Sequence, residues 1–179
     1  MRFFITLISA LILLLSAGCN RQPEYQSRKT EVFPAVMMKY AALYQVDGLP
    51  VSPAFFQGQW TLVIFGQGDC PATCQERLAL INNLESVKKL FVIIDLAEPD
   101  QMRNLKRMYP QVAISMGTTA VSFDRFYAQF NDEFADEEQK QARIFLLSPA
   151  GVLSYWLSAE EISSADIQQE VQMLLATWK

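Results

Sequence analysis

The 179-residue chain contains no histidine. No imidazole is therefore on hand to activate a thiol or to share a metal with one. A structural zinc site normally takes four Cys or His ligands, and three cysteines without a histidine cannot supply them. Basic side chains are in the minority as well. Fifteen Lys and Arg stand against nineteen Asp and Glu, for a net charge of −4 and a pI near 4.9. The clustered Lys and Arg that phosphate binding needs are missing, which argues against a nucleic-acid partner. No run of like charge is long enough to suggest a disordered tail, and no internal repeat or low-complexity segment is seen. The apolar stretch Phe3 to Ala17 falls short of the about 20 residues that a bilayer span requires.

What the N-terminus does contain is a short basic start at Arg2, a uniformly apolar run, and small residues ahead of Cys19. This pattern reads as a cleaved export signal; the alternative is an uncleaved anchor helix. Ser16-Ala17-Gly18-Cys19 resembles a bacterial lipoprotein lipobox, with its usual leucine displaced to Leu15. In that pattern Cys19 becomes the lipidated first residue. The expected organisation is a signal over residues 1–18, a polar tether over 19–32, and one folded domain over 33–179, lipid-anchored outside the cytoplasm. Without Arg2 the remaining chain has 14 basic and 19 acidic side chains, net −5. With 51% hydrophobic residues, part of it in the signal, the domain can bury one sizeable core.

With Cys19 assigned to lipid, Cys70 and Cys74 are the remaining thiols, in a compartment where disulfides persist. They lie in "FGQGDCPATCQERL", after an apolar run and before a helical pattern. "TLVIFG" (61–66) has the composition of a strand buried on both faces. Pro71 suits the first turn of a helix, and Leu78, Ile81 and Leu84 recur at helical spacing. "VDGLPV" predicts a hairpin. "LFVIID" (90–95) predicts a second buried strand, Asp100 to Tyr109 a helix closed by Pro110, and "QVAIS" a short strand. Thr119 to Asn131 predicts a helix packing Val121, Phe126 and Phe130 inward, and "FADEEQKQA" a charged loop. "RIFLLS" and "VLSYWL", joined through Pro149-Ala150-Gly151, predict another hairpin. The last helix starts at Ser163 or Ser164 and carries a stripe of Ile167, Val171, Leu174, Leu175 and Trp178. Strands alternating with helices specify an α/β domain with a central mixed sheet. A thioredoxin-like fold is the natural candidate, because its dithiol also follows a central strand and opens a helix.

Residues i and i+4 of a helix have Cβ atoms about 5–6 Å apart, whereas a disulfide needs about 3.5–4.5 Å. A non-helical Cys70 at the N-cap closes that gap, so the pair can exist open or joined. The helix N-terminus favours the thiolate, with Asp69 opposing it. Exposure suggests Cys70 as the attacking thiol and Cys74 as the resolving one. Four readings stay open: thiol–disulfide exchange, a structural staple, Cu(I) binding, which two thiolates suit, and inert buried thiols. Met102, Met108, Met116 or Asp95 could add a ligand, although methionines more often fill core.

"FFQGQWTLVIFGQGDCPATC" resembles the Sco/SenC family of copper chaperones and thiol-disulfide proteins, whose pattern is an apolar strand followed by F-G-Y-T-x-C-P-D-V-C. The likeness runs from about Leu43 to the C-terminus, with "FVIIDLAEPD" similar to the family's second strand and "IFLLSPAGVLSYW" to its late hairpin. The resemblance implies a thioredoxin-like fold, attachment to the periplasmic face of a bacterial membrane, and a role in assembling the copper site of cytochrome c oxidase. It carries the copper-ligand cysteines onto Cys70 and Cys74, but the family's histidine falls near Lys140. A lysine there repels a cation and favours a nearby thiolate. The implied function is thiol-disulfide reduction during oxidase copper-site assembly. The partner would be a protein disulfide, an oxidase subunit or a copper chaperone. The alternatives are Cu(I) delivery and copper or redox sensing.

Overall fold

The computed structural model of the protein describes residues 26–39, 42–95, 97–130, 141–160 and 162–177. Among them the chain forms β1 (Thr30–Met37), β2 (Leu43–Gln45), β3 (Pro50–Val51), β4 (Thr61–Gly66), α1 (Ala72–Asn82), β5 (Lys88–Ile93), α2 (Pro99–Met108), β6 (Ala113–Gly117), α3 (Ala120–Tyr127), β7 (Arg143–Leu147), β8 (Val152–Ser158) and α4 (Ser164–Thr177). Short 3-10 turns cover Pro53–Phe56 and Ala128–Phe130. The strands join one mixed sheet in the order β1-β8-β7-β4-β5-β6-β2-β3. β4, β5 and β6 are parallel, and the flanking pairs are antiparallel. This is the α/β arrangement that the alternation of strand and helix patterns predicts.

The central strands show why. All six residues of β4 are buried, and alternate side chains serve opposite faces. Leu62 and Ile64 join Cys70, Cys74, Leu78 and Ile81, together with Met102 and Leu105 of α2 and Ile167, Val171 and Leu174 of α4. Val63 and Phe65 join Leu90, Val92, Phe126, Phe130 and Phe145 on the other face. Phe65, Phe130 and Phe145 pack edge to face, with centroids 4.9 Å apart for Phe65–Phe130 and 5.1 Å for Phe130–Phe145. Each buried ring contributes about 1.5–3 kcal/mol through lost water contact, so sheet and helices are held by two continuous apolar layers.

Both predicted hairpins are present: β2–β3 around Asp47-Gly48, and β7–β8 around Pro149-Ala150-Gly151. Their boundaries, and those of β5, α2 and β6, differ from the sequence expectation by a few residues. Two points need correction. Val121 is 59% exposed and does not pack inward. The expected helix from Thr119 becomes α3 plus a 3-10 turn, and that change of pitch still turns Phe126 and Phe130 toward the core. In α4, Leu175 sits at the rim while Ile167, Val171 and Leu174 are buried. Asn131, most of "FADEEQKQA" and Trp178 lie outside the described residues.

An element with no sequence signal is β1, which pairs with β8 at the sheet edge from Thr30 onward. Its start precedes the expected domain boundary at residue 33. The segment ahead of it is held by a buried carboxylate. Glu170 of α4 accepts hydrogen bonds from the Arg28 N–H at 2.5 Å and the Ser27 hydroxyl at 3.1 Å, and it pairs with Lys29 at 3.4 Å. Among the described residues, no helix is long and apolar enough to cross a membrane.

Candidate functional site

β4 delivers the chain to the C-terminal edge of the parallel strands, where Gln67 to Pro71 turn into α1. Pro71 is the residue that caps α1, with Ala72 the first helical position. Cys70 therefore lies one residue before the cap, not at it, and Cys74 sits in the first helical turn. Cys70 adopts φ +42°, a left-handed conformation uncommon outside glycine. That turn closes the Cβ gap an i, i+4 pair would leave within a helix. The Cα atoms are 5.1 Å apart and the two sulfurs form a disulfide, within the separation such bonds require.

A small set of hydrogen bonds fixes the loop. Cys70 N–H donates to the Gln67 carbonyl at 3.1 Å. The Gln75 side-chain amide donates to the Cys70 carbonyl at 3.0 Å, and the Tyr109 hydroxyl donates to the Gln75 carbonyl at 3.2 Å. Gly68 N–H donates to Asp95 Oδ1 at 2.8 Å. A side chain at position 68 could not be accommodated, because its Cβ would lie 2.5 Å from the Ala97 Cβ. The glycine lets the dithiol loop press against the connection after β5. Burial raises the Tyr109 phenol above its usual value, so its donating proton is retained at neutral pH.

Exposure does not single out Cys70 as the attacking thiol. Cys70 is fully buried and Cys74 is 6% exposed, because the left-handed turn tucks the first sulfur beneath the loop. The cover is thin: Gln67, Asp69, Pro71, Ala72 and Thr73 are all exposed. The disulfide thus lies at the margin of the apolar core, beneath a loop whose neighbouring residues are exposed. When the bond opens, unpaired N–H groups at the start of α1 favour a thiolate. The first turn of α1 itself holds no acidic residue, which leaves Asp69, next to Cys70, as the carboxylate opposing them.

The other sequence candidates do not gather at the sulfurs. Met102 is 2% exposed and packs in the core, Met108 is exposed at the end of α2, and Met116 lies under a cleft beyond β6. The Asp95 carboxylate is engaged by Gly68. Among the described residues no group of three or more His, Cys, Asp or Glu could hold a metal ion. Among the described residues the donors established at the dithiol are the two sulfurs, suited after reduction to Cu(I) and poor for Cu(II). Cys19 and Lys140 lie outside the described residues. The Asp95–Gly68 link was not read from the sequence as a loop contact; the aspartate ending the second strand was the available signal.

No family model matches the chain. Among curated proteins it is similar to the mitochondrial protein SCO2 homolog of Mus musculus, 26% identical over 175 residues that cover 83% of this chain and 69% of the relative. The human protein of the same name is 25% identical over 178 residues, covering 84% and 67%. Among solved structures, yeast Sco1 with copper bound superposes with a TM-score of 0.68 at 15% identity, over 80% of this chain and 95% of that one. BsSco, described as a member of the Sco family of cytochrome c oxidase assembly proteins with a disulfide switch, gives a TM-score of 0.65 at 18% identity over 86% and 100%. A secreted disulfide oxidoreductase of Mycobacterium tuberculosis, homologous to DsbE, gives 0.54 at 15% identity over 76% and 96%. The fold is thioredoxin-like, and the curated and structural similarities together support a member of the Sco/SenC family.

Proposed function

We propose that the protein exchanges thiols and disulfides through Cys70 and Cys74 during assembly of the copper site of cytochrome c oxidase. Membership of the Sco family supports the broader role, in oxidase copper assembly through copper binding or dithiol chemistry. The observation that carries the narrower reading is a joined sulfur pair at a helix N-terminus in a chain without histidine. A two-electron couple is complete on the two cysteines alone, whereas a Cu(II) site lacks its nitrogen ligand.

In the reduced state, one thiolate attacks a sulfur of the partner's disulfide. A mixed disulfide forms and one partner sulfur leaves as thiolate. The second cysteine then attacks the mixed disulfide, releasing the other partner thiolate and closing the Cys70–Cys74 bond. Two electrons pass from this protein to the partner, and a reducing dithiol protein must restore the starting state. Export, a lipid at Cys19 and residence on the periplasmic face of a bacterial membrane complete the proposal, supported by the N-terminal sequence pattern.

The test uses the reduced protein with a protein disulfide substrate. Electron transfer by the wild-type protein and its loss in Cys70→Ser are expected. Equal activity in both would refute the reading.

The donor set favours one second reading. Two sulfurs close enough to bond are also close enough to hold Cu(I) between them, as cargo. An anaerobic titration against a Cu(I) chelator decides it: affinity no better than that of a variant lacking both cysteines eliminates the carrier.

A further inference from the structure

A second feature opens at the same edge of the sheet. Beyond the C-terminal ends of β5 and β6, between the connection after β5 and the flank of α3, lies a cleft of about 290 Å³. Crevices at this end of parallel strands are where α/β sheets take their ligands. The floor is apolar, from Ile93 and Met116. One wall carries Asp95, and the other carries Phe123, Asp124 and Tyr127. Close packing sets that second wall in place. A Cβ at Gly117 would stand 2.7 Å from the Phe123 Cβ, so only glycine lets α3 lie this near the end of β6. Phe123 and Tyr127 stack with centroids 5.3 Å apart and an interplanar angle of 22°, and Tyr127 is braced edge-on by Phe65 at 4.8 Å.

The charge of the cleft has one sign. Two exposed carboxylates face an apolar floor and a stacked aromatic pair, and among the described residues no Lys or Arg lines the cavity. Neither Asp95 nor Asp124 takes part in an ion pair among the described residues. The start of α3 also opens here, and a reciprocal cap engages two of its N–H groups: Ser122 N–H donates to Thr119 Oγ1 at 3.1 Å and Thr119 N–H to Ser122 Oγ at 2.8 Å. A flat or long cationic side chain matches every wall, with its stem on Ile93 and Met116, its charge between carboxylates and its face on an aromatic ring.

The cleft also touches the dithiol loop through one residue. Asp95 lines the cavity and at the same time accepts the hydrogen bond from Gly68, two residues ahead of Cys70. We infer that the cleft is a recognition pocket for a basic side chain, Arg or Lys, on the protein whose sulfurs meet Cys70 and Cys74. This rests on the proposed exchange reaction for its purpose, though not for its binding. The substrate class is then a partner segment carrying a basic residue close to its cysteines, seated so that the cation enters the cleft while the disulfide lies over the loop.

The experiment is an NMR titration of the whole exported domain with short Gly/Ser peptides carrying a single Arg, Gln or Glu. Carboxylate pairing plus a cation–aromatic contact predicts about tenfold tighter binding of the Arg peptide than of the Gln peptide. Shifts should be centred on Phe123 and Tyr127. Asp124→Asn should weaken the Arg peptide by about fivefold, Asp124→Glu should retain it, and Asp100→Asn, a carboxylate paired with Arg103 on α2 outside the cleft, should leave it unchanged. Equal binding of the Arg and Gln peptides, or equal loss in Asp124→Asn and Asp100→Asn, overturns the inference. Exchange between the wild-type protein and a small neutral disulfide is measured separately. Its absence would sink the dithiol reading without touching the peptide result.

Discussion

The carboxylate of Asp95, just past the end of β5, holds the N–H of Gly68 at 2.8 Å, so the loop over the disulfide is fastened to a strand other than the one that delivers it. The bond spans 27 residues of sequence and is the charged contact that keeps Gln67 to Pro71 down over the sulfurs. A partly buried bond of this kind contributes about 1 kcal/mol. Asp95→Ala should therefore raise the rate at which a small dithiol reduces the Cys70–Cys74 bond by about fivefold. Stopped-flow reduction of both proteins checks it; an unchanged rate would mean that the loop is not what limits access.

Gly66, the last residue of β4, has no room for a side chain. A Cβ there would lie 2.8 Å from the Phe91 ring and 3.3 Å from the Cys74 sulfur. Gly66→Ala must displace a fully buried ring or push the sulfur, and overpacking of this kind costs about 1–3 kcal/mol. The midpoint of urea unfolding should drop accordingly. The reduced form should lose less than the oxidised form, since an open Cys74 can rotate away. Equal losses in both forms would assign the strain to Phe91 alone.

Closing so short a ring removes little freedom from the unfolded chain. The loop-entropy relation gives about 2 kcal/mol for a bridge between residues four apart. Reduction of the wild-type protein is expected to lower its unfolding free energy by about that amount and leave the far-ultraviolet circular dichroism unchanged, because two apolar layers hold the sheet without the bridge. Collapse of the fold on reduction would make the disulfide a structural staple and would remove the case for a redox couple.

Sequence periodicity located the elements that carry the cysteines because those elements are buried continuously. "TLVIFG" has no polar interruption, and a strand covered on both faces leaves that signature. The hairpin at Asp47-Gly48 was legible for a different reason: the turn chemistry is local. β1 was not, since its sequence "TEVFPAVM" alternates poorly, contains a proline, and pairs through a register shift between Glu31 and Val36. Its place is set by β8 and by Glu170, 142 residues from Arg28. The conformation of Cys70 was equally hidden. A cysteine at positive φ follows from how the loop packs against Ala97 and Asp95, not from any preference of the residue. The cleft beyond β6 depends on three segments meeting, and single-segment patterns cannot report that.

The start of α4 offers a test with a definite sign in pH. Ser163 caps the helix: Asp166 N–H donates to Ser163 Oγ at 3.2 Å, and Asp166 Oδ2 accepts from the Ser163 N–H at 3.1 Å and its hydroxyl at 2.8 Å. The two hydrogen bonds from Ser163 hold the Asp166 carboxyl below the ordinary aspartate value of 3.8. A carboxyl depressed on folding stabilises the native state while it is ionised in both states. Its contribution is therefore fully present above the unfolded-chain value, and it is lost as pH falls through the lower folded value. Ser163→Ala removes the stronger of the two bonds and brings the folded value back toward the unfolded one. The variant should unfold at lower urea than wild type at neutral pH, since a serine cap is lost, and the gap should narrow as the pH is lowered below the ordinary aspartate value. Urea midpoints across the acid range check both parts. A gap that stays constant with pH would show that Ser163 stabilises α4 as a neutral cap, with no charge on Asp166 involved.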